Sequence, residues 1–180
     1  MQRVSKGFYL VSWGGGVGLG VVLLAAGFLL AMDSHMDEAA PFALGLGALT
    51  MLYGAIAIFV LWYKMWAAIQ DGHARATPGK AVGFLFIPFF NLYWAFQVLW
   101  GWAKDYNAYI ARHNLANAPK MPEGLFLAYV ILCFSGVIPV LGILLVMANF
   151  VIGLMMVSKI CDGVNALPAA PLAAPSPMPA

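Results

Sequence analysis

Charge is what this 180-residue chain has least of: Asp, Glu, Lys and Arg make up 9% of it, against roughly 25% in an ordinary soluble domain. A small domain cannot absorb that deficit in a larger core, because it must expose much of its surface. Cysteine is nearly absent too. Cys133 and Cys161 fall in or beside the last apolar run, in no spacing that reads as a disulfide framework or a metal site, and small buried hydrophobes are the natural reading. A large net charge is missing: the balance is +2, and no basic patch interleaves with aromatics outside the loops flanking the apolar runs, which argues against nucleic acid. Catalytic signatures are missing as well. The stretch from Gly72 to Gly79-Lys80-Ala81 has the wrong spacing for a phosphate loop and ends in Ala. The serines show no His/Asp arrangement and no nucleophile elbow. No enzyme, cofactor or metal is expected. Residues 33–38 (Asp-Ser-His-Met-Asp-Glu) read as a solvated acidic loop rather than an ion site, and His73 and His113 as surface residues.

What is there is apolar: 63% of the chain is hydrophobic, and the mean hydropathy is +0.88. No charge occurs in residues 7–32, 39–63, 81–103 or 125–158. Each run exceeds the ~20 residues needed to cross a hydrocarbon core. An integral, all-helical membrane protein follows, with a polytopic domain over 1–167 and a disordered Pro/Ala-rich tail over 168–180. The first run follows Arg3 and Lys6 as a secretory signal would, but at a length beyond the ~7–15 residues of a signal's apolar region, so an uncleaved helix is expected.

The nine Lys and Arg residues set the threading. Arg3 and Lys6 precede the first run; the loop between the first two runs holds Asp33, Asp37 and Glu38 with no Lys or Arg; the remaining basic residues follow from Lys64 onward. The positive-inside rule then puts both termini in the cytoplasm and the 33–41 loop outside. Residues 81–103 carry Pro88 and Asn91 in their middle and basic residues on both flanks. If that run dips in and turns back, Lys104, Arg112 and Lys120 stay inside. Residues 125–158 would make a rod of about 51 Å, interrupted at Gly136, Pro139 and Gly142. The expected fold is therefore two full transmembrane helices plus two broken or re-entrant helical units, the alternative being four spans with kinks in the last two. Non-helical backbone at that depth requires cover from neighbouring helices. Thr77-Pro78 and Pro122-Glu123 read as helix starts, and Asp71-Gly72 and Asp162-Gly163 as helix stops.

Gly14, Gly16, Gly18 and Gly20 form two overlapping G-x-x-x-G registers, which allow either a homodimer seam or close packing against Gly47 and Gly54 of the second helix. Trp62, Tyr63, Trp66, Tyr93, Trp94, Trp100, Trp102, Tyr106 and Tyr109 are expected mostly as an interfacial aromatic belt. Tyr93 and Trp94, beyond Pro88, have a second reading as the wall of a lipid or small-molecule groove. Pro88, Asn91, Gln97, Pro139 and Gly142 mark the breaks and the intramembrane polar positions. Asn91 is expected to cap the helix resuming after Pro88, with ion or substrate coordination as the rival role; Asn149 has the same two readings.

The stretch Thr77-Pro78-Gly79-Lys80-Ala81-Val82-Gly83-Phe84, followed by Pro88 and Asn91-Leu92, resembles a bacterial multi-pass membrane family known only as domain of unknown function 4328-like proteins. The family's pattern is Ser/Thr-Pro-Gly-x-Ala-Val-Gly, an aromatic, then Pro-x-x-Asn-Leu. It often has a second proline in the following turn, where this chain has Ala95 and Phe96. The resemblance implies a bacterial inner (plasma) membrane location and no particular activity. Together these features read as a structural or accessory subunit whose partners are membrane lipids and a membrane protein or a second copy, its basic loops attracting anionic headgroups. The alternative is a small transporter or channel with a midplane site at the broken helices.

Overall fold

The computed structural model describes residues 3–32, 37–134 and 142–168, and every regular element in them is a helix. The helices are α1 (Lys6–Ala31), α2 (Ala40–Ala67), α3 (Pro78–Gly83), α4 (90–112), α5 (Glu123–Cys133) and α6 (Gly142–Ala166). Three of these, α1, α2 and the Leu144–Ala166 part of α6, are long and apolar enough to cross a membrane. Residues 33–36 of the acidic loop, Gly136, Pro139 and the tail past Pro168 lie outside the described residues; Gly142 opens α6.

Two compact units divide the chain: residues 7–60, and residues 1–6 with 61–180. In the first, α1 and α2 run antiparallel with backbones nearly touching. A Cβ added to Gly16 would stand 2.8 Å from the Thr50 carbonyl oxygen and 3.0 Å from Gly54 Cα; one added to Gly20 would stand 3.1 Å from the Gly47 carbonyl oxygen. Only glycine permits that approach, and in lipid such close packing replaces the absent hydrophobic drive. The pair is tied by a 2.9 Å hydrogen bond between the Ser12 and Tyr53 hydroxyls. Its large side chains, among them Val11, Leu29, Phe42 and Leu49, point outward and exposed. That is the reverse of a water-soluble helix pair.

In the second unit the end of α2 packs on α4 through two indoles. Trp102 Nε1 donates to the Met65 carbonyl at 2.8 Å, and Trp66 Nε1 donates to the Val98 carbonyl at 3.1 Å. Met65 lies in the last turn of α2, where carbonyls lack intrahelical partners; Val98 lies in the π-helical segment Gln97–Gly101 of α4. Trp66, Trp102, Tyr106 and Tyr109 are consequently buried, so these four form a core rather than the expected belt; Tyr63 and Tyr93 are exposed.

Thr77 caps α3, its hydroxyl accepting from the Lys80 amide with Pro78 at the first helical position. The chain breaks over Ile87–Phe89 and resumes at Phe90. Phe89 occupies the cap position with φ +62° and no side-chain cap bond, so Asn91 falls inside the helix instead of capping it. Residues 78–96 form a hairpin: Trp94 Nε1 donates back to the Ala81 carbonyl at 3.1 Å. The fourth apolar run divides into α5 and α6, which lie side by side, with Asn149 Nδ2 3.5 Å from Cys133 Sγ. Gly163 is not the expected stop, because α6 continues to Ala166. Instead it gives Tyr106 room to donate to its carbonyl at 3.1 Å; a Cβ there would meet Tyr106 Cζ at 3.2 Å.

Candidate functional site

The polar side chains of the larger unit gather where its helices begin and end. Gly72 turns the chain after α2 with φ +89°, a conformation that glycine adopts without penalty. Beside it Asp71 is buried, and its Oδ2 accepts from Arg112 Nη2 at 2.7 Å and Nε at 3.1 Å. The same oxygen lies 3.2 Å from His113 Nε2, while Oδ1 accepts from the His73 amide at 3.0 Å. Burial pushes the Asp71 carboxyl up, but the bonds from Arg112, His73 and His113 and the Arg112 charge outweigh it and hold it below its ordinary value. His113, expected at the surface, has a side chain only 6% exposed. It packs against Tyr109 with ring centroids 4.6 Å apart and the planes tilted by 52°, beside the carboxylate.

Three further contacts tie distant segments together. Lys6 Nζ sits 2.9 Å from Asp162 Oδ2, beside a reciprocal pair in which Asn165 Oδ1 accepts from the Val4 amide and Asn165 Nδ2 donates to the Val4 carbonyl, both at 2.8 Å. Asn107 bridges the amide and carbonyl of Met121 at 2.8 and 3.0 Å and donates to Glu123 at 2.9 Å. Arg75 meets Asp105, Nη2 to Oδ1 at 2.7 Å and Nε to Oδ2 at 3.0 Å.

From Asp105 a polar ladder descends the hairpin. Arg75 Nη1 donates to Gln97 Oε1 at 3.1 Å, and Gln97 Nε2 donates to the Tyr93 hydroxyl at 3.1 Å. The rise from Asp105 to Tyr93 along α4 is about 18 Å. Beside the ladder, Phe84 packs edge-on against Phe90 and Trp94, which stack on each other, with centroids 5.0 to 5.7 Å apart, and Phe90 also meets Tyr93 at 5.8 Å. At the tip, Phe86, Ile87 and Phe89 are exposed, Phe89 at 88%. A polar edge leading to an apolar tip is the surface of an amphipathic element.

Of the residues singled out in the sequence, Tyr93, Trp94 and Gln97 come together on this hairpin, with Pro88 in its bend and Asn91 in the first turn of α4. Gly16 and Gly20 meet Gly54 and Gly47; Gly14 is buried and Gly18 is half-buried. Gly142 is only the first residue of α6, and Pro139 lies outside the described residues. Sequence reasoning did not single out Asp71, Arg75, Asp105, Asn107, Arg112, Asp162 or Asn165 as a joined set. Their one signal was position, since all lie in the segments between or after the apolar runs. A shallow cleft of ≈ 400 Å³ between Asn107, Asn114 and Lys120 borders this layer. Among the described residues, no group of three His, Cys, Asp or Glu is placed to hold a metal. No family model matches the chain, and neither a curated protein nor a solved structure does.

Proposed function

We propose that the chain is a multi-pass protein of a bacterial plasma membrane, acting as a structural or accessory helix-packing subunit without a catalytic centre. In this reading α1 and α2 cross the bilayer, and the 78–96 hairpin enters from the cytoplasmic side and returns to it. The close pairing of Arg75 with Asp105 supports that path, because it holds the two ends of the segment at one level. The exposed aromatic tip supports it as well, since lipid accepts those side chains and water does not. The Thr77–Trp94 stretch, similar to the 4328-like proteins, fits the same location.

One observation carries the accessory role. Each carboxylate of the larger unit already holds two chain segments together: Asp71 with Arg112, Asp105 with Arg75, Asp162 with Lys6 and Glu123 with Asn107. Groups so engaged serve assembly rather than proton transfer. A photo-crosslinker at exposed Phe42 or Leu49 of α2, activated in native membranes, is expected to give an adduct with a second copy or another membrane protein. Recovery of monomer alone sinks the role.

The Arg75–Gln97–Tyr93 ladder favours a second reading, a small transporter whose solute follows the polar edge to the helix break. Solute flux in proteoliposomes that disappears in Asn91→Ala and Gln97→Ala would establish it; retained flux in both variants, or none in the parent, removes it.

A further inference from the structure

We infer that the larger unit carries a binding surface for anionic phospholipid headgroups, formed by Lys80, Lys104 and Lys159 on three separate helices. The inference rests on the one-sided hairpin proposed above. All nine Lys and Arg residues fall in this unit, whereas three of the chain's seven carboxylates, Asp33, Asp37 and Glu38, fall outside it. The four that remain are engaged within the chain, three by Arg112, Arg75 and Lys6 and one by Asn107. Among the described residues, no carboxylate lies within ion-pair distance of Lys80, Lys104 or Lys159. Positive charge is therefore left over in this unit.

Along the chain each of the three lysines lies between an ion-paired residue and an apolar run. Lys104 precedes Asp105 on α4, toward the hairpin tip. Lys159 lies one turn before Asp162 on α6, toward its apolar body. Lys80 lies in α3, beyond Arg75 in the direction of the tip. Lys104 Nζ also rests 3.1 Å from the centroid of the Trp100 ring, so an interfacial indole and an ammonium occupy one place. Lysines at the ends of apolar runs extend their ammonium groups to the headgroup level, where phosphate is the available counter-charge. An acidic protein would meet Arg3 and Lys120 as readily; the place of the three directly beside apolar runs points to lipid.

The test uses the full chain in nanodiscs of phosphatidylcholine doped with phosphatidylglycerol, reading by native mass spectrometry the ratio of the two lipids retained on the protein. The parent should retain phosphatidylglycerol preferentially. The Lys80→Gln/Lys104→Gln/Lys159→Gln variant should lower the ratio by at least about tenfold, with unchanged helix content, while Arg3→Gln/Lys120→Gln should keep the parent ratio. A triple variant equal to the parent, or a double variant equally impaired, overturns the inference; displacement of the lipid by a poly-glutamate peptide assigns the surface to an acidic protein instead. A parent that enters pure phosphatidylcholine discs without lipid preference defeats this inference alone. One that enters no bilayer defeats the membrane reading with it.

Discussion

Arg112 reaches across 41 residues of sequence to place Nη2 2.7 Å from Oδ2 of Asp71, whose side chain is fully shielded from solvent. The pair joins the turn after α2 to the end of α4, and it sets the rank order of the ionic contacts.

Removing Arg112 takes away the guanidinium that faces the buried Asp71 carboxylate and leaves it only the His73 amide and His113. Arg112→Leu should cost about 3–5 kcal/mol. Lys6→Leu breaks a pair whose side chains are 42% and 43% exposed and should cost no more than about 1 kcal/mol. Denaturant unfolding in detergent, followed by tryptophan fluorescence, checks the order; equal losses contradict it. Asp71→Leu/Arg112→Leu should recover part of the loss, since both charges are then gone.

Acid should loosen the same junction. The Asp71 carboxyl is held below its ordinary value of 3.8, so its contribution is present above that pH and is lost as pH falls through the depressed folded value. Stability of the parent should decline below about pH 4, and Asp71→Asn should be less stable at neutral pH with a flatter acid limb. A variant curve parallel to the parent throughout assigns the acid loss to other groups.

Gly16 and Gly15 are neighbours with opposite expectations. A Cβ on Gly16 meets backbone, 2.8 Å from the Thr50 oxygen, and the helices must separate to admit it. Gly16→Ala should destabilise by about 1–3 kcal/mol. On Gly15 the nearest atom is Val11 Cγ1 at 4.0 Å, so Gly15→Ala should be neutral or stabilising by up to about 1 kcal/mol. Paired unfolding curves decide, and matching effects would show that the two helices do not meet through Gly16.

The hairpin path makes a topological prediction. In a background with Cys133 and Cys161 replaced by Ala, exposed cysteines at His73 and Asn117 should react with an impermeant maleimide from the same side of sealed membranes. A full crossing by residues 81–103 puts them on opposite sides. Asn107 is unsuitable for this probe, because its amide joins Met121 and Glu123.

Phe89 holds φ +62° at the bend, a strained conformation for a side chain with a Cβ. Phe89→Gly should raise hairpin stability by about 1 kcal/mol while weakening its hold on lipid. Hydrogen exchange over residues 84–92 reads the first effect and detergent partitioning the second.

The apolar runs, the breaker at Pro88 and the Thr77 cap were legible in the residues themselves, because hydropathy and missing amides are local properties, whereas α2 ends at Ala67, five residues short of the stop expected at Gly72. Residue type could not say that Trp66 and Trp102 turn inward, since an indole suits an interface and a core equally; carbonyls 32 and 37 residues away decided it. Gly163 looked like a terminator until Tyr106 appeared beside it, and His113 looked exposed until Asp71 did. Composition alone made this a chain for an apolar solvent. Which polar groups meet at its edge was decided by the tertiary structure, because an ion pair or an indole bond depends on a partner that only the folded path brings within 3 Å or so.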